Sequence, residues 1–257
     1  MKVSPRLLFA FALLLMVFAS TTGLTQDVQI PIPKIEIGVG EVQNPNDLAI
    51  TLEILFLITI ITLAPSILLM FTSFTRLVIV LGVVRGAIGT RQTPPNQVIV
   101  AVALFLTFFT MQPTFTNVWN EAWVPYSENQ IAYQTMFERT GDIFKNFMVG
   151  QLKIHKNEDN VDMLLESTGK GKVDAIEDAG LEIIIPAFII GELEIAFKMS
   201  VLLYIPFIVV DMLVASILMA MGMIMIPPAL ISMPFKILLF IAVNGWDLIV
   251  MGLIRSF

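Results

Sequence analysis

Apolar residues gather into two long blocks on either side of one polar stretch, with a shorter apolar run at the start of the chain. The first block opens near Leu48 and carries no charge from Ile54 to Thr75. A helix needs about 20 apolar residues to cross the hydrocarbon core, so this segment is predicted to span, with a kink at Pro65. Arg76, Arg85 and Arg91 follow with no acid among them, then the turn Thr93-Pro94-Pro95-Asn96 and a second uncharged run from Val98 to Phe115. Leu77 to Val84 is apolar but too short to span alone and is expected to extend the first helix. The positive-inside rule places the three arginines in the cytoplasm. Residues 48–115 are then a membrane hairpin whose outer ends lie outside.

The pattern changes at about Thr116. Up to Glu182 there are twelve acidic and six basic residues, a local charge of −6. Ile131, Met136, Phe137, Ile143, Phe144, Phe147, Met148 and Leu152 recur at helical spacing, without the alternation of a strand. Residues 116–182 are predicted to form a small helical domain outside the membrane. A domain of roughly 65 residues buries little core of its own and leans on neighbours. Thr168-Gly169-Lys170-Gly171-Lys172 reads as a loop or helix break.

The last block, 183–257, is apolar but interrupted. Glu192, Glu194 and Lys198 come early, and Glu194 and Lys198 sit at i, i+4 on one helix face. Asp211 lies inside the next apolar run, followed by Met223, Ile224 and Met225 and then by Pro227, Pro228 and Pro234. Hydropathy alone draws two spans, at about 183–210 and about 212–233 or later. Charges and prolines at membrane depth are tolerated where protein or water covers them. This second hairpin is therefore expected to be surrounded by other chains, with Asp211 paired or capped.

The start of the chain reads as a secretory signal. Lys2 and Arg6 precede the apolar core Leu7–Phe18, and Val17-Phe18-Ala19 offers small residues for cleavage, so 1–19 is assigned as the signal. Residues 20–47, with Pro31, Pro33, Gly38, Gly40 and Pro45, read as a periplasmic linker. Composition agrees with membrane residence. The chain is 56% hydrophobic and 14% charged with a mean hydropathy of +0.84, against about 45–50% and about 25% in soluble domains. A net charge of −6 without a basic aromatic face argues against nucleic acid. The absence of cysteine excludes thiol catalysis and disulfides.

Catalytic patterns are missing. His155 is the only histidine and stands among lysines; the reading is a solvated side chain, not a metal ligand. Gly169-Lys170 fails as a phosphate-binding loop, with Leu164 where its first glycine belongs and Gly171 where Ser or Thr belongs. No nucleophile–base pair stands out, no cofactor is implied, and an enzyme is not expected.

Longer runs resemble a known family. Thr72-Ser73-Phe74-Thr75-Arg76-Leu77-Val78-Ile79-Val80-Leu81, Gly89-Thr90-Arg91-Gln92-Thr93-Pro94-Pro95-Asn96-Gln97-Val98 and Ala103-Leu104-Phe105-Leu106-Thr107-Phe108-Phe109 resemble the FliP family, the P subunit of the flagellar type III export gate. Pro186-Ala187-Phe188, Glu192-Leu193, Phe197-Lys198-Met199, Pro206-Phe207 through Asp211, Met219 to Pro228, Pro234-Phe235-Lys236 and Gly245-Trp246 continue the likeness. Gly191, Ser200 and Ile224 depart from the family pattern.

The resemblance implies an all-α membrane protein with two helical hairpins flanking a small helical periplasmic domain, in a helical hetero-oligomeric assembly. It implies five copies with Q and R subunits in the basal body of the flagellum, at the inner membrane, passing unfolded flagellar proteins. It also implies that the hairpins sit within and above the membrane plane, wrapped by other subunits. By the same resemblance, Met223, Ile224 and Met225 match the family's constriction ring. Injectisome homologues share the motifs but are usually shorter at the start, which favours the flagellar branch. A transporter with Asp211 as its cation or proton site is the reading from another class; it lacks charged pathway residues inside the first block. Gap filling by Met223 and Met225, and a buried pairing role for Asp211, Glu192, Glu194 and Lys198, are the plainer alternatives to gating and ion transfer.

Overall fold

The computed structural model describes residues 45–257 apart from Arg91, Lys170, Lys172, Asp174 and Ile224, with side chains from Leu52 onward. The signal segment 1–19 and nearly all of the linker 20–47 lie outside the described residues. The chain divides into two units, Met1–Glu53 and Ile54–Phe257, and the second contains every helix from Phe74 onward. Among the described residues every regular element is a helix.

Helix α1 runs Pro45–Phe71 and continues through Pro65. It stops at Thr72-Ser73, and α2, Phe74–Ile88, begins at once. Leu77–Val84 therefore belongs to a new helix and does not lengthen the first. Hydroxyls make the break tolerable in apolar surroundings, because helix ends leave backbone groups unsatisfied. Thr72 Oγ1 donates to the Leu68 carbonyl at 2.5 Å and Thr75 Oγ1 to that of Leu69 at 2.7 Å. The Phe74 N–H in turn donates to Thr72 Oγ1 at 3.3 Å.

Helix α2 ends at Gly89, whose φ of +91° suits glycine and closes the last turn onto the Gly86 carbonyl. Helix α3, Asn96–Thr110, returns antiparallel. Both ends of the pair are tied: Ser73 Oγ lies 2.7 Å from Thr110 Oγ1, and Arg85 Nη1 donates to Asn96 Oδ1 at 2.8 Å. Helix α4 (Gln112–Asn117), a π-helix (Val118–Trp123) and α5 (Val124–Ser127) continue at 56° to α3.

The polar stretch holds α6 (Tyr133–Ile154), α7 (Asp159–Ser167) and a 3₁₀ turn at Ile176–Asp178. Its core is not self-contained. Met148, Leu152, Val161 and Leu165 are closed over by Ile183, Ile184, Ala187 and Phe188, which open the next helix. The Phe188 ring meets Phe147 edge-on at 5.9 Å.

That next helix, α8, is Leu181–Ala220, 40 residues without a break despite Pro186 and Pro206. At 1.5 Å per residue it is about 60 Å long. The two spans expected at about 183–210 and about 212–233 are thus wrongly divided. Asp211 does not interrupt the helix, because its charge is met by side chains of a neighbouring helix. The chain turns instead at Met221–Pro227, where Gly222 takes φ +78° and Pro227 and Pro228 lack the N–H a helix would need. Helix α9 (Pro228–Ala242) comes back antiparallel to α8, and α10 (Gly245–Ile254) leaves it at 63°.

A second core joins Leu77, Val80, Leu81 and Val84 of α2 to Ala103 of α3, Ala196 and Phe207 of α8, Phe240 of α9 and Leu253 of α10. Small side chains at Ala196 and Ser200, both buried, let α8 approach α2 closely. Leu52–Phe71 and Leu181–Ala220 are long and apolar enough to cross a membrane, and the two bent pairs bring the number of such segments to as many as four.

Because α8 completes the core of the polar stretch, truncating Phe188 should undock α6 and α7. Phe188→Ala is expected to cost about 3–5 kcal/mol and Phe188→Leu clearly less, measured by thermal unfolding of the detergent-solubilised protein.

Candidate functional site

Arg76, in the first turn of α2, is fully buried. Burial of a guanidinium requires a counter-charge and acceptors for its donors. Glu192 on α8 supplies the charge in a two-pronged contact: Nε donates to Oε2 at 2.8 Å and Nη2 to Oε1 at 2.5 Å. Nη2 also donates to Gln151 Oε1 on α6 at 3.1 Å. Nη1 donates to the Ser256 carbonyl at 2.6 Å and to its hydroxyl at 3.0 Å. The guanidinium sits over the Phe257 ring, 3.9 Å from Cζ to the ring centre, a cation–π contact. One side chain thus ties α2, α6, α8 and the segment after α10 together.

This corrects two sequence expectations. Arg76, expected beside Arg85 and Arg91 as a loop cation, lies in a helix and is not exposed. It is an internal ion-pair partner at the end of α2 that faces the polar stretch. Nor is His155 a solvated side chain: it is half-buried, with Nε2 3.0 Å from the Ser256 carbonyl and 3.2 Å from Arg76 Nη1. Nε2 either donates to the Ser256 carbonyl or accepts from Arg76, depending on the tautomer. Burial, reinforced by the charge of Arg76, holds His155 below its ordinary value of 6.5; the Ser256 carbonyl opposes this and Lys198 adds a little to it.

Arg85 sits at the opposite end of α2, where it fastens the turn to α3. Arg91 lies outside the described residues. Gly191, beside Glu192, leaves room for Asn157: a Cβ there would stand 3.1 Å from Asn157 Nδ2 and 3.3 Å from Leu152 Cδ2. Asn157 Nδ2 uses that space to donate to the Gly191 carbonyl at 3.3 Å.

A second polar centre joins α8 to α9. Asp211 Oδ2 accepts from Lys236 Nζ at 2.6 Å and Oδ1 from Ser232 Oγ at 2.5 Å. Lys236 is almost wholly buried, and the Asp211 side chain is 35% exposed. Phe207 and Phe240 pack one turn further along the same seam, 6.4 Å apart.

Glu194 and Lys198 pair with each other at 2.7 Å, but both stand out from the helix, 44% and 65% exposed. They join neither centre. The methionine loop is separate again. Met225 is 97% exposed and Met223 39%, and Ile224 is among the residues not described. From Glu192 to Gly222, α8 and its cap rise about 45 Å, so the loop is far removed from the Arg76 network.

Gln151, His155, Ser256 and Phe257 are not legible in the sequence as partners of Arg76. The only signal is indirect: a carboxylate at Glu192 in an apolar run demands a cation, without saying which.

In the α8–α9 centre, either charge alone would be stranded. Asp211→Ala or Lys236→Met should each lower thermal stability in detergent, whereas the double variant should regain most of the loss, as expected when both halves of a shielded pair are removed. His155 contributes a pH dependence. The unfolded chain binds its proton more readily, so its contribution is complete above about pH 6.5 and is lost as the pH falls through that value towards the depressed folded one. Thermal unfolding between about pH 7.5 and about pH 5 should show a decline on the acid side that is shallower in His155→Gln.

The geometry can be set beside known proteins. The model of the FliP family matches residues 57–253. The flagellar biosynthetic protein FliP of Aquifex aeolicus is 48% identical over 228 residues, covering 88% of this chain and 92% of its own. That of Treponema denticola is 44% identical over 226 residues, covering 88% and 83%. That of Bacillus subtilis is 42% identical over 214, covering 83% and 95%. The family match embraces α2, α3, α6, α8, α9 and nearly all of α10, and with them Arg76, Gln151, Glu192, Asp211 and the methionine loop, while Ser256 and Phe257 lie beyond its end. The chain belongs to the FliP family.

Proposed function

We propose that this chain is a channel-forming subunit of the flagellar type III export gate, through which unfolded flagellar proteins cross the inner membrane. FliP proteins are structural components of the flagellar export apparatus, not enzymes. The observation that carries the channel reading is the loop between α8 and α9. It projects beyond both helices and holds Met225 almost wholly exposed. An unbranched thioether gains nothing by facing water or fixed solvent structure; it adapts to surfaces of changing shape. In a ring of about five copies, Met223, Ile224 and Met225 would close on one another and yield around a passing polypeptide.

The assembly reading draws support from the outer surface. The Glu194–Lys198 pair stands exposed on the outer surface of a largely apolar helix, where lipid alone would disfavour it. An apolar groove of about 390 Å³ runs beside the loop, lined by Leu213, Ile217, Met221, Ile231 and Phe235 among others. Neighbouring copies, with Q and R subunits of the basal body, would cover both. In this reading the polar stretch, α6 and α7, lies on the periplasmic side. The loop and Arg85 lie towards the cytoplasm, and the two antiparallel pairs form the hairpins.

Replacing Met223, Ile224 and Met225 together by alanine should leave assembly intact and make cells leak ions and small solutes. Charged replacements should impair export instead. The measurement is solute permeation into cells carrying the variant complex. Alanine variants that assemble and stay as tight as wild type would assign the seal to another part of the gate.

A further inference from the structure

The bent segment after α3 carries a feature that neither polar centre nor the loop uses. Five aromatic rings form a continuous ladder on its surface. Trp119 and Trp123 stack at 6.2 Å, Trp123 meets Tyr126 at 6.2 Å, Tyr126 meets Tyr133 at 6.2 Å, and Tyr133 meets Phe137 at 4.6 Å. Four of the five are exposed: Trp119, Trp123, Tyr133 and Phe137. Tyr126 is half-buried. Burying large aromatic rings is among the stronger drives a surface has, so leaving this many bare needs an occupant.

Two observations indicate which. The first is continuity. The bare face of α3, with Phe105 72% and Phe108 63% exposed, runs through Phe115, whose ring lies 5.9 Å from Phe108, to Trp119. The second is depth. From Asn96 to Thr110, α3 rises about 21 Å, and the next segment, inclined at 56°, adds about 8 Å along that axis by Trp119. Trp119 therefore stands about 29 Å from the turn held by Arg85, against a hydrocarbon thickness of about 30 Å. Trp123 and Tyr126 come within a few ångströms more. Beyond them the chain becomes polar, with Glu121, Glu128 and Glu138 around the ladder and Arg139 Nη1 bonded to the Glu121 carbonyl at 3.0 Å. Tryptophan and tyrosine at that depth, apolar on one side and wet on the other, match the glycerol and headgroup layer.

We infer that, in the chain inserted on its own, the ladder from Trp119 to Phe137 seats in the lipid headgroup layer at the end of α3 remote from Arg85. There it fixes how deeply this segment enters the bilayer and where the polar stretch emerges. The inference rests on α3 and its continuation crossing the bilayer and is independent of the gate.

The chain has three tryptophans, so Trp246→Phe leaves Trp119 and Trp123 as reporters. The full-length variant would be placed in phosphatidylcholine vesicles containing lipids brominated either near the headgroup or near the bilayer centre. Shallow bromines should quench the fluorescence at least twice as strongly as deep ones, with little quenching by aqueous iodide. Dominant quenching by iodide would put the ladder in water. Dominant quenching by deep bromines would put it in the hydrocarbon core. Protection from all three would mean that protein, such as a second copy, covers it. Each of these three overturns the inference. If Trp246→Phe does not fold, the difference between wild type and Trp119→Phe/Trp123→Phe gives the same readout.

Discussion

The pairing of Arg76 with Glu192 is the interaction on which the arrangement depends. Neither charge can stand alone where it lies. Stranding one member of such a pair costs about 3–5 kcal/mol, a large part of the stability of an ordinary domain. The pair is also specific, because a guanidinium offers its donors in a fixed plane. Two go to Glu192, and the rest fix Gln151 and Ser256. Apolar packing between α2 and α8 would tolerate sliding by a turn; this network does not. It sets the register of α8 against α2, and through Gln151 and His155 it fixes the polar stretch to the membrane-type helices.

The Asp211 centre performs the same task lower on α8. Lys236 and Ser232 select one register of α9, and the nearby Phe207–Phe240 contact fills the seam. Together the two centres hold a long helix rigid against its neighbours over much of its length. The Met221–Pro227 turn remains outside both. In the proposed gate, the wall would keep its position while the thioether loop at its tip yields.

Much of the candidate site was legible along the chain because it consists of exceptions to a pattern. Glu192, Asp211 and the Met223–Met225 group stand out against apolar surroundings. Gly222 and Pro227-Pro228 mark a turn by their backbone limits alone. The arginines were harder. Arg76 and Arg85 look alike in sequence, both cations after an apolar run, yet one is fully buried and the other fastens a surface turn. His155 was similarly misleading, because its sequence neighbours Lys153 and Lys156 are exposed while it turns inward to Ser256.

The sequence by itself determined the helical class, the apolar segments long enough to cross a bilayer, the polar stretch between them and the family, since periodicity, charge and motifs are local properties. Tertiary structure decided where the helices of the last block begin and end, and which charges meet. Arg76 and Glu192 are 116 positions apart, and Arg76 and Ser256 are 180 apart. Hydropathy assigns each charge a penalty as if it faced lipid alone, and so it divided α8 at Asp211. In the folded chain that penalty is removed by a residue of another helix, and the helix continues.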